Sequence, residues 1–340
     1  VTNYRRAILW GTFWTGVGGI SGAFLASAMV TTFGKGLFAA AVAPSIAAAL
    51  ATIAGAVLWV SIATRAALPV STTHAIVGSL AGVGMTAYGL SGVNWAVLTT
   101  KIAAPLLLSP VVALAITAVV LRAWRALAPD TPDCVCADLQ PMAVATSLSP
   151  DGAAAASVIP TIRLIADSQA GCERQGATVR LTVNQLHWIT SGATALARGL
   201  NDAPKMVALL LAAAALSGVG SGFRPAAFAA VTLGMVAGSW IAGMRVTEVL
   251  AEKVTRMDHR EGFIANLVTA ALVAPGAALG LPMSTTHVSS GAIIGVGTQN
   301  NLNINWKTVR DMLLAWVVTL PGAALLGIAV YECVRLLGVR

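Results

Sequence analysis

Within a chain built mostly of long apolar runs, the segment Leu68-Pro69-Val70-Ser71-Thr72-Thr73-His74 recurs as Leu281-Pro282-Met283-Ser284-Thr285-Thr286-His287, at an offset of 213 residues (281 − 68), with six of seven positions identical. Hydroxyl and imidazole groups are expensive to bury in hydrocarbon unless each finds a partner. The duplication therefore constrains the fold twice. The chain should consist of two related halves, and their polar elements should meet at one internal site.

Hydrophobic residues make up 57% of the sequence and charged residues 10%, with a mean hydropathy of +0.80, whereas a soluble domain carries about 25% charged residues. This pattern is that of an integral membrane protein. The runs are continuous over about 20 residues, as spanning helices need, and lack the ten-residue alternation of barrel strands. Spans are expected near residues 7–30, 37–63, 69–90, 97–121, 186–216, 225–250, 263–281, 283–298 and 311–337. The third, fifth and eighth are interrupted by polar or helix-breaking residues, which predicts broken or re-entrant helices. Pro44 offers a further break in the second.

Net charge is +8, and the basic residues gather in short connections: Arg5, Arg6, Lys35, Arg65, Lys101, Arg122, Arg125, Arg256, Arg260, Lys307 and Arg310. Here they suit anchoring at a bilayer surface rather than nucleic-acid binding. From Ala126 to Thr182 the composition turns to Asp, Pro, Ser and Gln with no run long enough to span. The expected organisation is a first transmembrane repeat over 1–125, a soluble inter-repeat loop over 126–182 and a second repeat over 183–340. Cys134, Cys136 and Cys172 lie in the loop. A redox pair, a partial metal site and no function all stay open for them, although no loop His precedes His187 to complete a familiar metal set. Cys333 reads as a small packing residue.

The duplication extends beyond the heptapeptide. Trp95 and Trp306, and Ser109-Pro110 and Leu320-Pro321, stand 211 residues apart (306 − 95), while Met29-Val30-Thr31 and Arg245-Val246-Thr247 stand 216 apart (245 − 29). Internal duplication is a common construction of secondary transporters, whose substrate site lies where the repeats meet.

The motif's chemistry follows from its residue types. Proline favours the first turn of a helix, Ser and Thr favour the cap, and a helix start presents free N–H groups with partial positive charge. Two such starts, rich in hydroxyls and facing each other within the membrane, would replace the hydration shell of an oxyanion. The competing structural reading is that these hydroxyls bond their own backbone or a neighbouring helix. His74 and His287, which follow them, would orient them by hydrogen bonding.

A second polar feature, Ala197-Arg198-Gly199-Leu200-Asn201-Asp202-Ala203-Pro204-Lys205, interrupts the apolar run from Leu186 to Ser217. An acid and an amide at membrane depth are functional by default. Gly199 and Pro204 would let the helix unwind, and freed carbonyls with the Asn201 and Asp202 oxygens would suit Na⁺, or Asp202 would take up a proton. The alternative is an ion pair of Asp202 with Lys205 or Arg198. Lys205, beyond Pro204, could also attract an anion. Glu248, with Arg245 and Lys253, reads as an interfacial group.

Gly199-Leu200-Asn201-Asp202-Ala203-Pro204-Lys205 resembles the Gly-Ala-Asn-Asp signature of the inorganic phosphate transporter (PiT-type) family, and both Pro-x-Ser-Thr-Thr-His segments look like its paired motifs. The resemblance covers nearly the whole chain apart from the loop. It implies an all-α membrane carrier of two inverted-topology repeats, with phosphate bound by both and coupling ions nearby. By position, Asn201 and Asp202 would serve ion and substrate coordination, and Ser71, Thr72, Thr73, Ser284, Thr285 and Thr286 would supply oxyanion donors. The family carries a Gly-Ala-Asn-Asp motif in each half, and the first-half counterpart of Asn201 would precede Val1. An N-terminal segment of the first repeat is therefore expected to be missing from this sequence. Leu200 replaces the usual Ala and adds bulk beside the polar pair.

The function so implied is import of inorganic phosphate by H⁺- or Na⁺-coupled symport with alternating access, in the cytoplasmic (inner) membrane of the cell. No catalytic residue, cofactor or metal is expected beyond a Na⁺ at Asn201 and Asp202. The partners are phosphate, the lipid bilayer and, optionally, further copies of the chain, but no nucleic acid. A sulfate or related oxyanion permease is the alternative, followed by a membrane enzyme acting on a phosphorylated substrate. Against the enzyme, the sequence has neither His-Glu-x-x-His nor Gly-x-Ser-x-Gly.

Overall fold

The computed structural model describes residues 4–35, 45–127, 132–148, 154–174, 179–299 and 304–338. In chain order the elements begin with α1 (Tyr4–Leu25), α2 (Ser27–Lys35), α3 (Ile46–Arg65) and α4 (Thr72–Tyr88). A short α5 (Trp95–Val97) runs through a π-helical turn into α6 (Ala104–Leu127). The central segment comprises β1 (Cys134–Leu148), β2 (Ala154–Asp167), α7 (Gln169–Arg174) and β3 (Val179–Thr182). Then follow α8 (Val183–Leu216), α9 (Arg224–Glu248), α10 (His259–Ala278), α11 (Thr285–Gln299) and α12 (Trp306–Leu336).

The membrane part is all-helical. Among the described residues seven helices are long and apolar enough to cross a bilayer: α1, α3, the α5–α6 unit, α8, α9, α10 and α12. The helices that carry the repeated motif are shorter, α4 with 17 residues and α11 with 15. At 1.5 Å per residue they reach about 25 Å and about 22 Å, less than the roughly 30 Å hydrocarbon core. Large apolar side chains such as Leu107, Leu108 and Val111 of α6, Ile241 of α9 and Leu325 of α12 point outward. The interior holds Thr117, Asn201, Lys205 and Thr319. This inverted polarity suits a lipid solvent, which can satisfy no polar group.

One apolar cluster gathers Met29 and Phe33 of α2, Leu80 of motif helix α4, Ile102 of the π-helical turn and Leu200 of α8. The halves are interlocked by exchange. A Cβ at Gly78 of α4 would lie 2.3 Å from the Leu320 carbonyl of α12, and one at Gly291 of α11 would lie 2.1 Å from the Pro110 carbonyl of α6. Gly78 and Gly291 are equivalent positions of the duplication, so each motif helix packs on the last helix of the other half. Only glycine permits this approach of helix backbones.

Several expectations need correction. The span expected over 7–30 breaks at Ala26, where α1 gives way to α2. The residues around Pro44, at the start of the expected second span, lie outside the described residues. The Asn201–Asp202 segment does not unwind: α8 continues through Pro204 for 34 residues. Proline removes a single N–H, and the ring is accommodated where α1 presents Gly22, whose hypothetical Cβ would touch Pro204 Cγ at 3.0 Å.

The segment expected as a loop contains an antiparallel sheet of order β2-β1-β3, with Cys134 opposite Asp167 and Thr182, and Cys136 opposite Ile165 and Arg180. A search for membrane-length runs misses period-two strands. The Cys-x-Cys spacing puts both sulfurs on one face of β1. There Cys136 forms a disulfide with Cys172 of α7, while Cys134 stays a buried free thiol. Asp133, just before β1, pairs with Arg260 of α10 and its carbonyl accepts from the Val183 N–H, tying the sheet to two membrane helices.

Candidate functional site

Each motif copy builds the same local structure. After α3 and a turn, residues 68–71 run non-helically and Ser71 caps α4, its Oγ accepting from the His74 N–H at 3.2 Å. After α10 and a turn, residues 281–284 do the same, and Ser284 Oγ accepts from the His287 N–H at 3.2 Å. Proline keeps the chain extended ahead of the cap, and the serine oxygen meets an otherwise orphaned donor.

The two copies face each other reciprocally. Thr73 Oγ1 donates to the Met283 carbonyl and Thr286 Oγ1 donates to the Val70 carbonyl, each at 3.4 Å. Thr73 and Thr286 are equivalent positions, as are Val70 and Met283. Behind them the His74 and His287 rings lie 4.5 Å apart between centroids. Ser71, Thr73, His74, Ser284, Thr285 and His287 are buried, whereas Thr72 and Thr286 are half-buried. Thr72 and Thr285, the first residues of the two helices, make no side-chain hydrogen bond among the described residues.

Into this junction α8 inserts Asn201, Asp202 and Lys205, with 0%, 3% and 0% exposure. Asn201 Nδ2 donates to Asp202 Oδ1 at 2.9 Å and to the Met283 carbonyl at 2.8 Å. Lys205 Nζ donates to Thr73 Oγ1 at 2.7 Å, the Met283 carbonyl at 3.0 Å and Asp202 Oδ1 at 3.2 Å. Arg198, half-exposed one turn earlier, lies 3.9 Å from Asp202 Oδ2. Taking both basic groups as cations and Asp202 as a carboxylate leaves one net positive charge beside two helix N-termini. Excess positive charge beside a helix start favours an anion.

The structure thus brings the three sequence motifs together, in places with different partners than the residue types alone suggested. Ser71 and Ser284 cap their own helices, as the structural alternative held. The freed main-chain carbonyls are those of Val70 and Met283, ahead of the caps, and not those of α8. Sequence reasoning missed both carbonyls, yet there was a signal. This is the one position at which the heptapeptides differ, as a position used through its main chain can. Trp316 was also missed; it stacks on His287 at 3.7 Å and donates from Nε1 to the Pro69 carbonyl at 3.1 Å. Nothing in its surrounding apolar run distinguished it.

Over residues 1–327 the sequence matches the Phosphate transporter family. It is 30% identical over 326 residues to the "Putative phosphate permease" of Thermococcus kodakarensis, covering 85% of this chain and 78% of the relative. It is 28% identical over 370 residues to "Inorganic phosphate transporter 2-1, chloroplastic" of Arabidopsis thaliana, covering 91% and 63% respectively. The fold is similar to a solved structure described as "The sodium-dependent phosphate transporter", with a TM-score of 0.76 at 22% identity, covering 98% of this chain and 91% of that one. The matched residues take in both capped helix starts and the Asn201–Asp202 pair, and the chain belongs to the phosphate transporter family.

Proposed function

We propose that this chain is a secondary active importer of inorganic phosphate, working by cation-coupled symport and alternating access. Residues 1–125 and 183–340 act as two inverted-topology repeats about a pseudo-two-fold axis at the junction of the motif helices. The segment 126–182 joins them outside the cytoplasmic (inner) membrane. The observation that carries the reading is the reciprocal pair of contacts from Thr73 to Met283 and from Thr286 to Val70, with Lys205 buried against the first of them. An oxyanion would be held by the Thr72 and Thr285 hydroxyls and the two helix starts that Ser71 and Ser284 cap, with Lys205 as its counter-charge; Thr73 and Thr286 would join by turning their hydroxyls away from the Met283 and Val70 carbonyls. Asn201 and Asp202 would carry the coupling cation, H⁺ or Na⁺. His74 and His287, whose rings pack on each other and bond no motif hydroxyl among the described residues, would support the junction by packing from behind rather than by the expected hydrogen bonds.

Membership of a transporter family sets this protein apart from enzymes. Phosphate is favoured over sulfate by Asp202: hydrogen phosphate can donate a proton to a carboxylate, whereas sulfate at neutral pH cannot. The related proteins named above as phosphate permease and phosphate transporters support the same substrate. The test is uptake of labelled phosphate into proteoliposomes carrying the full-length protein, with sulfate as competitor and imposed proton or Na⁺ gradients. Saturable, gradient-driven uptake that excess sulfate leaves intact is expected. Uptake equally fast without any gradient would remove coupled symport.

A further inference from the structure

Lys205 Nζ sits among three oxygens of different kinds from three segments: the Asp202 carboxylate of α8 at 3.2 Å, the Met283 carbonyl ahead of α11 at 3.0 Å and the Thr73 hydroxyl of α4 at 2.7 Å. An ammonium has three N–H donors and no acceptor, so these three contacts saturate it. Asn201 Nδ2 holds two of the same oxygens, on Asp202 and Met283, in place. Asn201 Oδ1 is buried with no partner among the described residues. Carboxylate, carbonyl and hydroxyl oxygens together form a hard donor set of the kind that binds an alkali cation at a repeat interface. Here the middle of that set is filled by a charge tethered to the chain.

We propose that the Lys205 ammonium occupies the monovalent-cation position beside Asp202, so that Na⁺ does not bind there. The proposal deepens the transport reading above, while the occupancy itself stands on the contacts of Lys205. A second cation among these oxygens would displace a donor that already satisfies three buried acceptors and would meet its positive charge at close range. Lysine reaches the position because it lies three residues beyond Asp202, less than one turn along the unbroken α8, which places both groups on one face.

The test is equilibrium binding of radioactive Na⁺ to the purified full-length protein in detergent. The wild type is compared with Lys205→Ala, Lys205→Met and the double variant Lys205→Ala/Asp202→Asn, each checked for a monodisperse elution profile. Removing the ammonium is expected to add about one bound Na⁺ per chain, and removing the carboxylate as well is expected to abolish that gain. Equal Na⁺ stoichiometry in the wild type and in folded Lys205 variants would overturn the proposal. Should neither Lys205 variant fold, Asp202→Asn alone decides: unchanged Na⁺ stoichiometry relative to wild type supports the occupied position, and loss of one Na⁺ overturns it. Phosphate uptake measured on the wild-type preparation separates the two readings. Failure of uptake alongside a gained Na⁺ sinks the transport assignment and leaves the occupancy standing, while uptake without a gained Na⁺ sinks the occupancy alone.

Discussion

His74 and His287 hold equivalent places in the two motif copies, and their rings approach to 4.5 Å between centroids where the halves join. Trp316 covers the other side of His287 at 3.7 Å and donates from its indole N–H to the Pro69 carbonyl at 3.1 Å. A chain of contacts therefore runs from Pro69 in one motif through Trp316 to His287 in the other and back to His74. It fixes the relative position of the helix starts on which the anion site depends.

Trp316→Phe keeps a ring to stack on His287 but leaves the Pro69 carbonyl without this donor. A buried group left unsatisfied costs about 1–3 kcal/mol. Trp316→Ala removes the packing too and should cost about 3–5 kcal/mol. Thermal unfolding in detergent should rank wild type above Phe above Ala. A Phe variant as stable as wild type would show that the indole bond contributes nothing.

The hydroxyls of the motif divide by role, and substitution should separate them. Ser284→Ala removes a helix cap and is expected to lower stability by about 0.5–2 kcal/mol. Thr285→Val removes a hydroxyl that no described residue uses, so stability should hold while phosphate affinity falls by about one to two orders of magnitude, the worth of a charge-assisted hydrogen bond. Unfolding curves and phosphate binding measured on the same preparations check both halves. The reverse assignment of effects would exchange the two roles.

Much of this architecture was legible because hydrocarbon imposes simple rules. Apolar runs of spanning length located α1, α3, α6, α8, α9, α10 and α12, and the cap chemistry of Ser71 and Ser284 could be read from Pro-x-Ser-Thr-Thr-His. The state of α8 could not. Gly199 and Pro204 argue locally for a break, but packing against α1 decides otherwise, and such packing leaves no periodic trace in α8 itself. The sheet was hidden for a different reason: Cys-Val-Cys-Ala alternates too briefly to stand out beside membrane-length runs. The partners of Lys205 come from positions 73 and 283, separations that no local reading of one motif can join.

Asp202 and Lys205 are expected to behave as a coupled pair. Asp202→Asn strands a fully buried ammonium and should cost about 3–5 kcal/mol in stability as well as abolishing gradient-driven uptake. Adding Lys205→Met removes the stranded charge and should restore most of the stability without restoring uptake. A double-mutant cycle on unfolding free energy checks this. Normal uptake by Asp202→Asn would take Asp202 out of the transport mechanism.

The disulfide closes a separation of 36 residues between β1 and α7. On the chain-entropy account, a loop of that length is worth about 3–4 kcal/mol. Cys172→Ser should therefore loosen the sheet while leaving the membrane helices intact. Limited proteolysis should cut between residues 128 and 182 faster than in wild type, with phosphate binding unchanged. Equal cleavage rates would mean that the strands and the Asp133–Arg260 pair suffice.

Gly78 and Gly291 offer the most direct check on the exchange of packing between the halves. Alanine at either position places a methyl carbon 2.3 Å from the Leu320 carbonyl or 2.1 Å from the Pro110 carbonyl, and both obstacles are helix backbone that cannot rotate away. Such overpacking costs typically about 1–3 kcal/mol. Because the two contacts are equivalent, the single variants should lose similar stability, and each should push its motif helix away from the other half. Phosphate affinity should then fall in both, since displacing either helix start spoils a site that needs the two together. Two variants that unfold alike but differ sharply in affinity would mean that one helix start carries the binding, and the reciprocal site would have to be given up.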